Sequence, residues 1–215
     1  MAIEAKICGL TTPEAIDTAI SHGAALIGLV FFARSPRYLT PAAAGTLSRP
    51  VAGKVSRVGL IVDATDDEIA AILGDCPLDM LQLHGKETPA RVAEIRAKFT
   101  RPVMKALSIA TAADIAGARA YEDVVDRLMF DAKPPKDMKN ALPGGNAVSF
   151  DWALLAGQSF SRPWMLAGGL TAENLADAVR TSGARAVDTS SGVEDQPGVK
   201  NLQKIKDFLT VAGSL

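Results

Sequence analysis

Cysteine is nearly missing from this chain: 215 residues contain two, Cys8 and Cys76. They stand far apart, match no zinc spacing and cannot build a disulfide framework. A reducing cytoplasm is the compartment that suits such a composition. Histidine is as scarce, with two. A metal held by Cys8 and His84 would lack two further obvious ligands, so no metal is expected. No apolar run reaches the ~20 residues of a membrane span, and the opening "MAIEAK" has no apolar signal core. Neither sign of charge dominates: 23 Lys and Arg face 24 Asp and Glu, net −1. With no basic excess and no block of like charge, neither nucleic acid nor a membrane surface is an expected partner.

What is present is an ordinary globular composition, 48% apolar and 22% charged. Eight short apolar runs read as strands: "AKICGL", "ALIGLVFF", "SRVGLIV", "DMLQLHG", "PVMKALSI", "RLMFDAK", "WMLAGGL" and "RAVDTSS". Amphipathic stretches alternate with them at residues 13–22, 41–52, 66–74, 89–99, 112–121, 151–157, 171–182 and 202–212. Thr12 and Thr171 are expected helix caps, Pro13, Pro41 and Pro89 suit first turns, and Gly23 and Gly183 suit left-handed C-caps. Strict β/α alternation implies a parallel sheet with right-handed crossovers. Eight units without a linker predict an α/β chain forming one domain over residues 1–215, a single (β/α)8 TIM barrel. An open doubly wound sheet would carry a dinucleotide fingerprint after its first strand, and "CGLTTPE" is not one. The longest irregular stretch, residues 133–149, reads as a mobile lid after the sixth strand.

Strand side chains alternate between faces. Lys6 shares a face with Cys8, Gln82 with His84, Met129 with Asp131, and Asp188 with Ser190, while Ile7, Leu81 and Leu83, Leu128 and Phe130, and Val187 take the opposite face and are apolar. The apolar set suits the helix layer, so the polar set is expected inside the barrel. Unpartnered polar groups are costly there. Their recurrence near the strand C-terminal ends, where barrels of this kind keep their active sites, suggests a site. Each has a plainer reading: Cys8 as space filler, Lys6 as a counter-ion to Asp131 or Asp188, His84 as a satisfied core histidine. His22 and Cys76 carry no expected function, and the remaining lysines read as solvated faces.

Two stretches point to phosphate. "LAGGLTAENL" places Gly168 and Gly169 at a strand end before a helix expected to open at Thr171; "DTSSGVEDQPGVK" follows the eighth strand with Ser191 and Gly192. Glycines let backbone N–H groups approach an anion, and loops seven and eight are the usual phosphate grip of such barrels. A phosphorylated small molecule is therefore the expected partner. In "FFARSPRYLTP", Arg34 and Arg37 bracket a stiff Ser-Pro turn. They are either a surface pair or a planar fork for a carboxylate, with Arg37 the better placed.

The motifs "KICGLT", "GLVFFARSPRYLTP", "VGLIVDA", "LQLHGKE", "MFDAK", "PGGNAVSFDW", "LAGGLTAENL" and "DTSSGVEDQPGVK" occur in an order that resembles the phosphoribosylanthranilate isomerases of tryptophan biosynthesis, over nearly the whole chain. Small departures are "GGNAVSFDW" in place of a glycine-threonine-glycine version, and Thr189 and Asn201 where valine and aspartate are commoner. The resemblance implies an Amadori rearrangement of N-(5-phosphoribosyl)anthranilate, with Cys8 as general base and Asp131 as general acid. It places Arg37 near the anthranilate carboxylate, the phosphate at Gly168, Gly169, Ser191 and Gly192, and His84 in the substrate cavity. Lys6 and Asp188 are expected among the substrate-binding residues, and Lys6, on the same strand face as Cys8, would favour the thiolate. No cofactor is implied, and a monomer or a homodimer is equally compatible. The competing possibilities are another phosphate-binding barrel, such as a sugar-phosphate epimerase or a thiamine-phosphate synthase, and a barrel kept only for binding.

Overall fold

The computed structural model describes residues 3–135, 138 and 142–215. Eight parallel strands close into a barrel in chain order. They are β1 (Glu4–Cys8), β2 (Leu26–Val30), β3 (Ser56–Ile61), β4 (Met80–Leu83), β5 (Val103–Ile109), β6 (Arg127–Ala132), β7 (Trp164–Leu166) and β8 (Ala186–Thr189). Closure is made by β8 on β1, in a register that sets Lys6 beside Asp188. Outside run α1 (Pro13–Ser21), α2 (Pro41–Ser48), α3 (Asp66–Asp75), α4 (Pro89–Phe99), α5 (Ala112–Ala118), α6 (Leu175–Ser182) and α7 (Leu202–Ser214). A small antiparallel hairpin, β9 (Glu194–Gln196) with β10 (Val199–Lys200), follows β8.

Local chemistry explains where these helices start. Threonine side chains cap five of them, Thr12, Thr40, Thr65, Thr88 and Thr111, and Asn201 caps α7. Such a cap is worth about 1 kcal/mol. Glu68 and Asp114 complete capping boxes at α3 and α5. Gly23 and Gly183 take left-handed backbone after α1 and α6, at φ +90° and +75°.

Four expected helices change shape. Residues 41–52 divide into α2 and a 3-10 turn at Arg49–Val51, because Pro50 has no N–H to continue the ladder. Residues 112–121 likewise end in a 3-10 turn, Arg119–Tyr121. Residues 151–157 form only a 3-10 turn, Trp152–Leu155, capped by Asp151 and followed by Gly157 at φ +70°. Thr171 is not the cap of α6. Its N–H goes to Asn174 Oδ1 (2.8 Å), whose amide donates to Gly169 O (2.9 Å), so a side-chain-tied turn precedes the helix at Leu175.

The main core lies between sheet and helices, with Ile7, Ile27, Leu81, Leu83, Leu128 and Phe130 pointing outward into it. A second apolar cluster fills the lumen and is rich in methionine: Met104, Met129 and Met165, with Met80 at its edge, pack on Leu26 and Val58. Flexible thioethers fill the taper below the polar mouth. Not every remaining lysine is solvated: the side chains of Lys105 and Lys200 are covered and ion-paired, Lys105 to Glu87 at 2.9 Å. The Lys105 ammonium also donates to Leu83 O and Gly85 O at 3.2 and 2.8 Å, which fixes the loop after β4.

Candidate active site

The alternation argument holds at the mouth of the barrel. Lys6, wholly buried, points inward and donates from Nζ to Asp188 Oδ1 at 2.7 Å. Of the two carboxylates considered as its counter-ion, the structure selects Asp188. Burial pushes the Lys6 ammonium down, but Asp188 and the neighbouring Cys8 outweigh this and hold it above the usual lysine range. One step higher on β1, the Cys8 thiol is also buried. Burial pushes it above the ordinary thiol range; Lys6 and Lys200 pull back, Asp188 adds to the rise. Space for these two side chains comes from Gly28 on β2: a Cβ there would stand 2.6 Å from Cys8 Sγ and 3.0 Å from Lys6 Nζ.

Strands β4 and β6 supply the facing polar groups. Gln82 Nε2 lies 3.1 Å from His84 Nδ1. In this arrangement Nδ1 accepts, so Nε2 carries the imidazole proton. That Nε2 is 3.2 Å from Asp131 Oδ2, at an angle too poor for a hydrogen bond. Asp131 Oδ1 accepts from the N–H of Ala132 at 2.8 Å. The loop backbone at Gly144 closes against both His84 and Asp131. Residues 136, 137 and 139–141 of the stretch expected to be a lid lie outside the described residues. Beyond them, Asn146 pins the turn by accepting from Leu142 N and donating to Leu142 O, at 3.0 and 2.7 Å.

Arg37 and Arg34 behave differently: Arg34 is exposed, Arg37 buried. Arg37 already uses one edge of its fork. Nε and Nη2 donate to Glu194 Oε1 and Oε2, both at 2.8 Å, and Nη2 also reaches Gly145 O at 3.3 Å. Among the described residues no hydrogen bond is made by Nη1. Glu194 in turn accepts from Lys200 Nζ at 2.7 Å. Burial raises Glu194, but Arg37 and Lys200 more than offset it and hold the carboxyl below its usual range. The signal for this ion cluster was present in "GVEDQPGVK", where Pro-Gly between two short polar runs marks a hairpin. Its burial is a tertiary fact, because the hairpin folds under Arg37.

On the far side, Gly168 and Gly169 take left-handed backbone, φ +90° and +64°. Thr189 Oγ1 donates to Leu170 O at 2.7 Å, tying the loop after β7 to that after β8. Gly192, inside the 3-10 turn Ser191–Val193, comes so close to the same carbonyl that no side chain fits.

Cys8, Arg37, His84 and Asp131 line one cleft of about 740 Å³ including its open mouth. Gly168, Gly169, Asp188 and Ser191 line it too. Two expected site residues sit differently. Lys6 lies beneath the cleft against Asp188, and Gly192 lines an adjoining hollow with Gly169 and Ser191. Among the described residues there is no group of three His, Cys, Asp or Glu side chains able to hold a metal ion.

A thiol and a carboxyl in one cleft, between a guanidinium and two glycine-bearing loops, suit proton transfer on an anionic, phosphorylated substrate. A family model described as N-(5'phosphoribosyl)anthranilate (PRA) isomerase matches residues 5–211. The N-(5'-phosphoribosyl)anthranilate isomerase of Rhodospirillum centenum is 53% identical over 215 residues, covering 100% of both chains. The crystal structure of phosphoribosyl anthranilate isomerase from Thermotoga maritima superposes with a TM-score of 0.88 at 32% identity, covering 99% of this chain and 100% of that one. A phosphoribosyl anthranilate isomerase in complex with reduced 1-(o-carboxyphenylamino)-1-deoxyribulose 5-phosphate gives 0.85 at 31% identity, with 99% and 100% covered. The chain belongs to the N-(5'-phosphoribosyl)anthranilate isomerase family.

Proposed function

We propose that this chain converts N-(5-phosphoribosyl)anthranilate to 1-(2-carboxyphenylamino)-1-deoxyribulose 5-phosphate in cytoplasmic tryptophan biosynthesis, with Cys8 as general base and Asp131 as general acid. The observation that carries this reading is the single cleft shared by Cys8, Asp131, Arg37 and the loops after β7 and β8. Family membership and the product-like ligand of a related enzyme support the substrate class.

The chemistry balances as follows. Asp131 gives its proton to the furanose ring oxygen. The C1′–O bond breaks as the anthranilate nitrogen donates its lone pair, leaving an open-chain iminium. That cation acidifies C2′–H, and the Cys8 thiolate removes the proton. The electron pair forms C1′=C2′ and neutralises the nitrogen. The enolamine then gains a proton at C1′ and loses the C2′ hydroxyl proton, giving the ketone. Asp131 ends as carboxylate and Cys8 as thiol, so one proton passes between them through solvent before the next turnover. Each positioned acid or base contributes about 10²- to 10⁴-fold. Arg37 orients the anthranilate carboxylate, and the loops carrying Gly168, Gly169, Ser191 and Gly192 hold the phosphate. Those clamps supply further rate by positioning. His84 lines the ribose side, while Lys6 and Asp188 underlie the base. Every residue named comes from one chain, so a monomer and a homodimer fit alike. No helix among the described residues is long and apolar enough to cross a membrane.

The test is the fall in anthranilate-type fluorescence when freshly made substrate is added. Cys8→Ala and Asp131→Asn should each slow turnover by at least about 10²-fold with little loss of folding. Near-normal turnover in both would overturn the acid–base assignment. Phosphate-ester binding without turnover in the unmutated chain would identify a binding protein instead.

A further inference from the structure

The chemistry above leaves Glu194 and Lys200 without a part, although their side chains are each only 3% exposed beside the cleft. We propose that Lys200 is a positioning residue that joins the Arg37 clamp and the Cys8 base into one rigid unit, with Glu194 as the link. This rests on Cys8 being the base.

The geometry is a continuous chain. Both oxygens of Glu194 hold Arg37, each at 2.8 Å. Lys200 Nζ donates to Glu194 Oε1 at 2.7 Å, to Ser190 O at 2.8 Å and to Ser190 Oγ at 3.3 Å. All three ammonium donors are thereby spent in fixed directions. The Ser190 hydroxyl in turn donates a hydrogen bond to the backbone carbonyl of Cys8 at 3.1 Å. A displacement at Arg37 is therefore felt at the strand end that carries the thiol, and the converse.

Charge makes the link more than a brace. The charged groups facing the thiol are Lys6 from β1, Asp188 from β8 and Lys200 from β10. Lys6 and Asp188 neutralise each other at 2.7 Å. The outer cluster holds two cations, Arg37 and Lys200, against one anion, Glu194. It carries one surplus positive charge, available to a Cys8 thiolate or to an arriving carboxylate. Burial, aided by Arg37, outweighs the pull of Glu194 and Cys8 and leaves the Lys200 ammonium below the usual lysine range. A buried ammonium beside a thiol favours the thiolate, which is the form a base needs.

Lys200→Met, Lys200→Arg and Glu194→Gln test this, with kcat, KM and the pH profile of kcat/KM measured beside the urea midpoint. Loss of the Lys200 charge should raise KM, lower kcat, and reduce kcat/KM by about 10²-fold. The rising limb of kcat/KM should move to higher pH, since the thiol loses a cation that lowers its pKa. Lys200→Arg keeps the charge and should return the limb towards its original position. Glu194→Gln should act mainly on KM, because Arg37 loses its partner. A lowered urea midpoint with KM and the pH limb unchanged in Lys200→Met would show a purely structural brace and overturn the proposal. If Lys200→Met does not fold, an unchanged KM in Glu194→Gln overturns it. Cys8→Ala run alongside separates the two assignments. An active Cys8→Ala removes the base and this proposal together. An inactive one with Lys200→Met unchanged removes only the role of Lys200.

Discussion

Replacing Gly28 by alanine puts one methyl group into the space of the Cys8 thiol. The added carbon would lie 2.6 Å from Cys8 Sγ, 3.0 Å from Cys8 Cα and 3.0 Å from Lys6 Nζ. Carbon contacts settle at about 3.5–4.0 Å, so the thiol must retreat by roughly 0.9–1.4 Å and the ammonium by roughly 0.5–1 Å. The backbone gives little room. The parallel ladder sets Cys8 opposite Gly28, and Gly28 O accepts from the N–H groups of Gly9 and Leu10 at 2.8 and 3.2 Å. Overpacking of this kind costs about 1–3 kcal/mol. For a chain of this length that lowers Tm by about 2–12 °C. A base displaced by about 1 Å should cost about 10²-fold in kcat. KM should change less than kcat, because the added methyl meets the Cys8 and Lys6 side chains directly and reaches Arg37 only through the Cys8 carbonyl and Ser190. Fluorescence progress curves at saturating substrate and a circular-dichroism melt read the two effects separately. Gly117→Ala is the control: nothing stands within 4 Å of its added carbon on the outside of α5. It should gain about 0.5–1 kcal/mol and leave kcat alone. A Gly28→Ala protein with unaltered kcat would refute the claim that the thiol's position matters.

Lys105→Met should destabilise by about 3–5 kcal/mol in urea titration, since Glu87 would remain buried without its cation. If Lys105→Met with Glu87→Leu recovers none of that loss, the ion pair is not the cause. Glu194 is held below the ordinary carboxylate range, so its stabilisation is complete above pH about 4.5 and fades as pH falls through the depressed value. Glu194→Gln should therefore flatten the acid limb of the stability curve, and an acid limb identical to that of the unmutated chain would count against the pairing. Ala147 holds φ +56° in the stretch where the family motif more usually has glycine. Ala147→Gly should add about 0.5–1 kcal/mol by removing that strain, and a lower Tm would contradict it.

The residues proposed to bind substrate at loop ends could be located in the sequence because their neighbours are legible. Gly168, Gly169 and Ser191 sit two or three residues past a strand end and Arg37 seven past β2, and strand ends follow from apolar runs. The 3-10 turn at 152–155 and the late start of α6 were not legible in the same way. At the first, Asp151 caps a turn that Gly157 ends after one round at φ +70°; at the second, Asn174 ties Thr171 N and Gly169 O into a turn that delays α6. Ala147 shows the opposite limit: nothing in its neighbours announces a left-handed backbone, which the closing loop imposes.

By itself the sequence determined the alternation of elements, and with it the closed parallel barrel. Apolar periodicity acts over a few residues and needs no distant partner. It also determined which side chains turn inward, since a strand has only two faces. The tertiary structure alone decided the pairings: Lys6 with Asp188 across 182 residues, Arg37 with Glu194 across 157, and Lys105 with Glu87 outside the lumen. A charge shows no destination in its own neighbourhood. Only when the barrel closes and water is excluded does each buried ion require the one counter-ion within reach.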